Sequence, residues 1–166
     1  MGANINKAEE KGATPLYIVT HHGHEDVVRA LVELGANINK AEEKGATPLY
    51  IVTHHGHEDV VRALVELGAK INKARVDGET PLFVAAQRGH DAIVRALIEL
   101  GADINKVDDD GITLLYVAAH NCHETVVRAL IEMGADVNKA DNAGMTPLKI
   151  AARRGHKAVV QALIDV

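Results

Sequence analysis

The chain has 166 residues, of which 47% are hydrophobic and 25% charged, and its net charge is −5. This ordinary globular balance excludes a disordered chain, and the acidic excess excludes a nucleic-acid surface built on clustered Lys and Arg. No segment approaches the ~18 consecutive apolar residues of a membrane span, and Cys122, the single cysteine, allows no internal disulfide framework.

The chain opens MGANINKAEE, which is polar and has no apolar signal-peptide region, so a cytoplasmic or other intracellular location is expected. From there Gly2, Gly35, Gly68, Gly101 and Gly134 stand 33 residues apart, each starting a Gly-Ala pair. Five units follow: 2–34, 35–67, 68–100, 101–133 and 134–166. A fixed period of this size marks a repeat array, read here as one repeat domain over 2–166.

Units one and two are identical, so one reading serves both. Thr14-Pro15 and Thr47-Pro48 signal helix starts: the Thr hydroxyl caps free N–H groups and Pro suits the first helical position. The first helix runs to Gly23 or Gly56. A second begins after His24 or His57, with acids in its first turn set against the helix dipole and a stripe of Val60, Val61, Leu64 and Val65. Gly35 and Gly68 are its C-caps. The next twelve residues have no helical period and form a turn-rich finger. Neither helix can bury its stripe alone, so stability has to come from stacking on neighbours.

Unit three replaces Val-Thr in the first helix with Ala85-Ala86, and unit four has Ala118-Ala119 at the same place. The bulkier Val19-Thr20 and Val52-Thr53 are expected to strain or widen the stack. Unit four also puts Leu114 where the others have Pro and Cys122 where they have the helix-stopping Gly. Side chains disfavour a left-handed backbone, so this unit is expected to be the loosest internal one. Unit five replaces the aromatic column (Tyr17, Tyr50, Phe83, Tyr116) with Lys149 and adds Arg153, Arg154, Lys157 and Gln161, which suits a solvated outer face. Unit one has no such adaptation. Val19, Val27, Val28 and Leu31 are expected to meet water, so that this N-terminal face frays or self-associates, for instance as a two-fold pair.

Gly-x-Thr-Pro-Leu, then Gly-His, then Leu and Gly-Ala-x-Ile/Val-Asn at a period of 33 resembles the ankyrin repeat family. Eleven columns are constant in all five units, among them Thr14/47/80/113/146, Leu16/49/82/115/148 and His24/57/90/123/156. The resemblance implies an all-α helix-turn-helix solenoid of five stacked repeats with β-turn fingers, and a non-catalytic role in binding a protein partner. The family usually has His after Thr-Pro-Leu; here that column is aromatic or Lys, so the buried His ladder expected from the family is absent there.

Candidate chemistry is sparse. His21-His22-Gly-His24 and its copy at 54–57 could offer imidazoles to a metal, but no Cys or carboxylate stands beside them at ligand spacing, and neither a metal site nor a cofactor is expected. Cys122-His123 could pair a thiol with a base, yet catalysis also needs an orienting third group. Asp108-Asp109-Asp110 lacks the downstream Glu of a calcium loop and reads as a solvated turn. No enzymatic motif is present.

The resemblance implies a concave contact surface made of finger tips and the exposed ends of the first helices. Carried onto this chain, it comprises Lys11, His21 and His22 in unit one, and Glu43, Lys44, His54 and His55 in unit two. Unit three supplies Val76, Asp77, Glu79, Gln87 and Arg88. Unit four supplies Asp109, Asp110, Ile112, His120 and Asn121, and unit five Met145, Arg153 and Arg154. The rival readings are an engineered or module-duplicated array made for stacking, with no natural partner, and a His-based metal-responsive module. The duplication reading rests on units one and two agreeing at all 33 positions while units two and three agree at 18.

Overall fold

The computed structural model describes residues 2–166. Each unit's Thr starts a helix: Thr14, Thr47, Thr80, Thr113 and Thr146 are extended and accept the N–H three residues on at 3.0–3.3 Å. The resulting helices are α1 (Pro15–His22), α3 (Pro48–His55), α5 (Pro81–Arg88), α7 (Leu114–His120) and α9 (Pro147–Arg154). A left-handed residue ends each one and turns the chain back into α2 (Glu25–Glu33), α4 (Glu58–Glu66), α6 (Asp91–Glu99), α8 (Glu124–Glu132) and α10 (Lys157–Ile164). The first four of these carry an acid in the first turn, which favours them through the helix dipole.

The odd-numbered helices pack in one row and the even-numbered in a second, each pair leaning on the next. One apolar core runs through both rows, from Leu16 and Val28 to Ile150 and Val159. The Val-Thr pairs are accommodated in it without an unpaired hydroxyl. Thr20 and Thr53 are fully buried, and their Oγ1 atoms donate back to the carbonyls of Tyr17 and Leu49, each at 2.8 Å.

Three kinds of hydrogen bond stitch successive units. The ring Nε2 of His57, His90, His123 and His156 lies 3.0–3.3 Å from the carbonyl of His21, His54, Gln87 and His120 in the preceding unit; since a carbonyl only accepts, the imidazole donates. A His ladder therefore exists, in the Gly-His column. Second, the backbone N–H groups of Asn37, Lys70 and Asp103 donate to the side-chain oxygens of Asn6, Asn39 and Asn72 at 2.7–2.9 Å. Third, neighbouring fingers join through one backbone bond each: Glu43 to Lys11, Val76 to Lys44, Asp109 to Asp77 and Asn142 to Asp110.

The N-terminal face behaves as expected at three of four positions. Val27 is 43% exposed where its copy Val60 is 1%, and Val19 and Leu31 are half-buried where Val52 and Leu64 are sealed. Val28 departs from the expectation: it is fully buried, as Val61 is, because this column lies within the core and not on the outer face.

In unit four, Cys122 is the one non-glycine among the described residues with positive φ, at 63°. Cys122→Gly is expected to stabilise the protein by about 0.5–1 kcal/mol, by relieving a left-handed side chain, measured as a shift of the urea midpoint. Leu114 is 1% exposed and part of the core, at the column where Pro48, Pro81 and Pro147 are buried too.

Candidate functional site

The fingers stand beside the odd-numbered helices, and the space between them is a groove. The fingers hold their shape because a carboxylate closes the turn: Glu42 Oε1 accepts the N–H groups of Lys44 and Ala46, each at 2.9 Å, and Asp141 Oδ1 accepts those of Ala143 and Met145 at 2.9 and 2.8 Å. Asp108 does the same for Asp110 and Ile112 at 3.0 and 2.8 Å. Burial raises its carboxyl above the usual range, with the Asp110 and Glu79 charges adding to the effect while these hydrogen bonds oppose it. Of the acidic run, only Asp109 and Asp110 are exposed.

Unit three has Arg75 at this column, and it builds a different knot. Its guanidinium lies over the Tyr50 ring, 5.1 Å from the centroid, and Nη1 donates to the Tyr50 hydroxyl at 3.0 Å. That hydroxyl donates to Glu79 Oε2 at 2.6 Å. Arg75 also pairs with Asp77 at 2.9 Å and Glu79 at 3.3 Å, and Gln87 reaches the other Glu79 oxygen at 3.4 Å. Burial first, and then the Glu79 carboxylate, push the Tyr50 pKa up, so the phenol stays protonated as a donor. Tyr50→Phe is expected to cost about 1 kcal/mol by leaving partly buried partners short of one bond, read as a lowered denaturant midpoint.

The knot floors a hollow of about 370 Å³ that also touches Lys44, His54 and Arg88. A second hollow of about 560 Å³ follows along the groove, between Phe83 and Tyr116, edged by Glu79, Gln87, Arg88, Ile112, His120 and Asn121. Of the residues expected at the contact surface, Lys44, His54, Glu79, Gln87, Arg88, Ile112, His120 and Asn121 thus line two adjoining hollows. Lys11, Glu43, Asp109 and Asp110 are exposed on the fingers, with Val76 at 70%; His21, His22, His55, Arg153 and Arg154 are exposed at the helix ends. Asp77 is half-buried against Arg75, and Ile112 and Met145 pack partly on the core.

A model of the family described as "Ankyrin repeats (3 copies)" matches residues 1–75, 36–108 and 82–166, which together take in the whole chain. The chain belongs to the ankyrin repeat family. A search of curated proteins finds no match. Ankyrin repeats are generally protein–protein interaction modules and typically non-catalytic, and no helix here is long and apolar enough to cross a membrane.

The residues that suggested chemistry are divided between the stack and its surface in this ankyrin array. His123 Nε2 is bonded to the Gln87 carbonyl at 3.0 Å, while Cys122 is exposed. His21 and His55 meet ring to ring, with centroids 4.0 Å apart, flanked by His22 and His54 at 4.9 and 4.8 Å. Among the described residues no three His, Cys, Asp or Glu are grouped to hold a metal ion. Arg75 was not in the expected surface, although the sequence carries a signal for it: a cation in a column that is otherwise Glu9, Glu42, Asp108 and Asp141.

Proposed function

We propose that the chain is a non-catalytic scaffold that binds a protein partner in the groove between its fingers and its odd-numbered helices. The observation that carries this reading is the pair of adjoining hollows. The larger of them combines aromatic walls from Phe83 and Tyr116 with polar groups of opposite character, Glu79 and Asp108 against Arg88 and His120. Preformed concave sites with a few convergent polar groups are where recognition concentrates. Arg88 and Asn121 present exposed donors at the rim, and Arg75 keeps the floor in place from both sides.

The test is a display library of peptides and small domains, panned against the immobilised chain. A saturable ligand should lose most of its affinity on Arg88→Ala and Asn121→Ala, and keep it on Glu99→Gln, which lies on the opposite row of helices. A panel with no saturable ligand, or ligands indifferent to the groove changes, would reject the reading and favour an array with no partner.

A further inference from the structure

We propose that the groove takes an extended segment of another protein in which an acidic residue stands next to a basic one. Arg88, positioned by His54, holds the carboxylate on the helix side, and the neighbouring cation faces Asp109 and Asp110 on the finger side. This rests on the groove reading and names the class of partner.

Arg88 stands apart from the arginines of the stack. Arg29, Arg62, Arg75, Arg95 and Arg128 each pair with a carboxylate. Among the described residues Arg88 makes no ion pair and touches His54 instead, although Glu79 and Asp108 line the same hollow. Both of those acids are already engaged. The Tyr50 hydroxyl and Arg75 donate to Glu79 Oε2, and Gln87 donates to its Oε1. Asp108 Oδ1 accepts the N–H groups of Asp110 and Ile112. The exposed guanidinium of Arg88 therefore keeps its fork of donors for an incoming planar anion, and a carboxylate matches that fork with two parallel bonds.

A ring from the preceding unit holds the guanidinium ready. Arg88 Nη2 meets His54 Nε2, and Arg154 Nη2 meets His120 Nε2 in the same way. An arginine has only donors, so the imidazole nitrogen accepts, and the ring is neutral with its proton on Nδ1. In His54 that Nδ1 is buried and has no acceptor. The ring thus forgoes a bond of its own while it fixes the arginine, and buried polar groups are seldom left unpaired without a use. A long side chain ordered beforehand loses less freedom when a ligand arrives.

Charge is divided across the groove. On the helix side, units two to four present His54, His55, Gln87, Arg88, His120 and Asn121, six positions without an acid. On the finger side Asp109 and Asp110 are exposed. A run of acids, or a nucleic-acid backbone, would meet those two carboxylates and be repelled. Consecutive side chains of an extended segment point to opposite sides, so an acid and an adjacent base reach the two walls at once. Arg88, Asp109 and Asp110 lie in units three and four, each flanked by a unit on either side.

The test pans random displayed peptides against the full chain, then titrates the enriched ones, made synthetically, by fluorescence anisotropy. Enriched sequences should share a Glu or Asp adjacent to a Lys or Arg. Changing that acid to its amide should weaken binding to the wild-type chain about tenfold and make no difference to Arg88→Gln. Arg88→Glu, at an exposed position, should keep its helical circular dichroism and prefer the peptide whose acid has become Lys. His54→Leu should weaken the acidic peptide but not its amide form, whereas His54→Gln, which offers an acceptor oxygen, should retain the acidic peptide. Asp109→Asn with Asp110→Asn should abolish the preference for the adjacent base. Ligands that are lost on Asn121→Ala yet carry no acid overturn the proposal and leave the groove reading intact. So do ligands rich in acids with no base, and ligands whose acid is indifferent to Arg88→Gln or to His54→Leu. A panel with no saturable ligand, or with ligands that ignore the groove, overturns both.

Discussion

Leu64→Ala is expected to destabilise the protein by about 3 kcal/mol, and Leu31→Ala by about 1 kcal/mol, although the two leucines sit in identical 33-residue units. Leu64 is fully buried between the helix pairs on either side, and removing its branch leaves a cavity that close-packed neighbours cannot refill. Leu31 packs against the core on one side only and is half-buried, so its site can collapse and water already meets part of it. Because local sequence, helix propensity and capping are the same, the difference between the two urea midpoints isolates stacking. Equal losses would show that each helix pair is stabilised from within and not by its neighbours.

Acidification is expected to loosen the junctions on both sides of unit two, where His55 meets His21 and His54 faces Arg88. Burial, and then the charges of His21, His54, His57 and Arg88, push the His55 pKa down to about 4. Burial, followed by Arg88, His90, His21 and Arg75, lowers that of His54. His54 Nε2 faces the Arg88 guanidinium and its buried Nδ1 has no hydrogen-bond partner, so nothing around the ring favours a second proton. Both folded values lie below the ordinary ~6.5, so the unfolded chain binds more protons in the interval between. The contribution is complete above pH ~6.5 and is lost as pH falls towards about 4. Since His55 is exposed, solvent screening reduces its contribution to the order of 1 kcal/mol. The denaturant midpoint should drop over this window and be flattened by His54→Gln with His55→Gln. A drop of the same size in the double variant would assign the sensitivity elsewhere.

The Gly-His rings of units two to five are held by backbone carbonyls of the preceding unit, and a carbonyl leaves no trace in residue type. The same limit hid the finger-to-finger bonds. What could be read in advance was local or periodic: Thr caps, left-handed glycines, the boundaries of ten helices, and the exposed Val27 against the buried Val60. The groove was legible as a set of columns, but its floor was not. The knot of Tyr50, Arg75 and Glu79 joins residues 25 and 29 apart, and only stacking brings them together. The turn-closing role of Asp108 was within reach, because Glu42 and Asp141 hold the same column.

The finger bonds have a consequence for how such a surface can change. At every junction the donor and the acceptor are peptide groups, belonging to Lys11 and Glu43, Lys44 and Val76, Asp77 and Asp109, Asp110 and Asn142. Seven of these eight are residues whose side chains were assigned to the contact surface. The edge is therefore aligned by atoms that any amino acid but proline supplies on the donor side, and that every amino acid supplies on the acceptor side. Its lettering can be rewritten position by position while the spacing between letters stays the same, so a lineage of such chains can drift from one partner to another without passing through a misaligned ancestor.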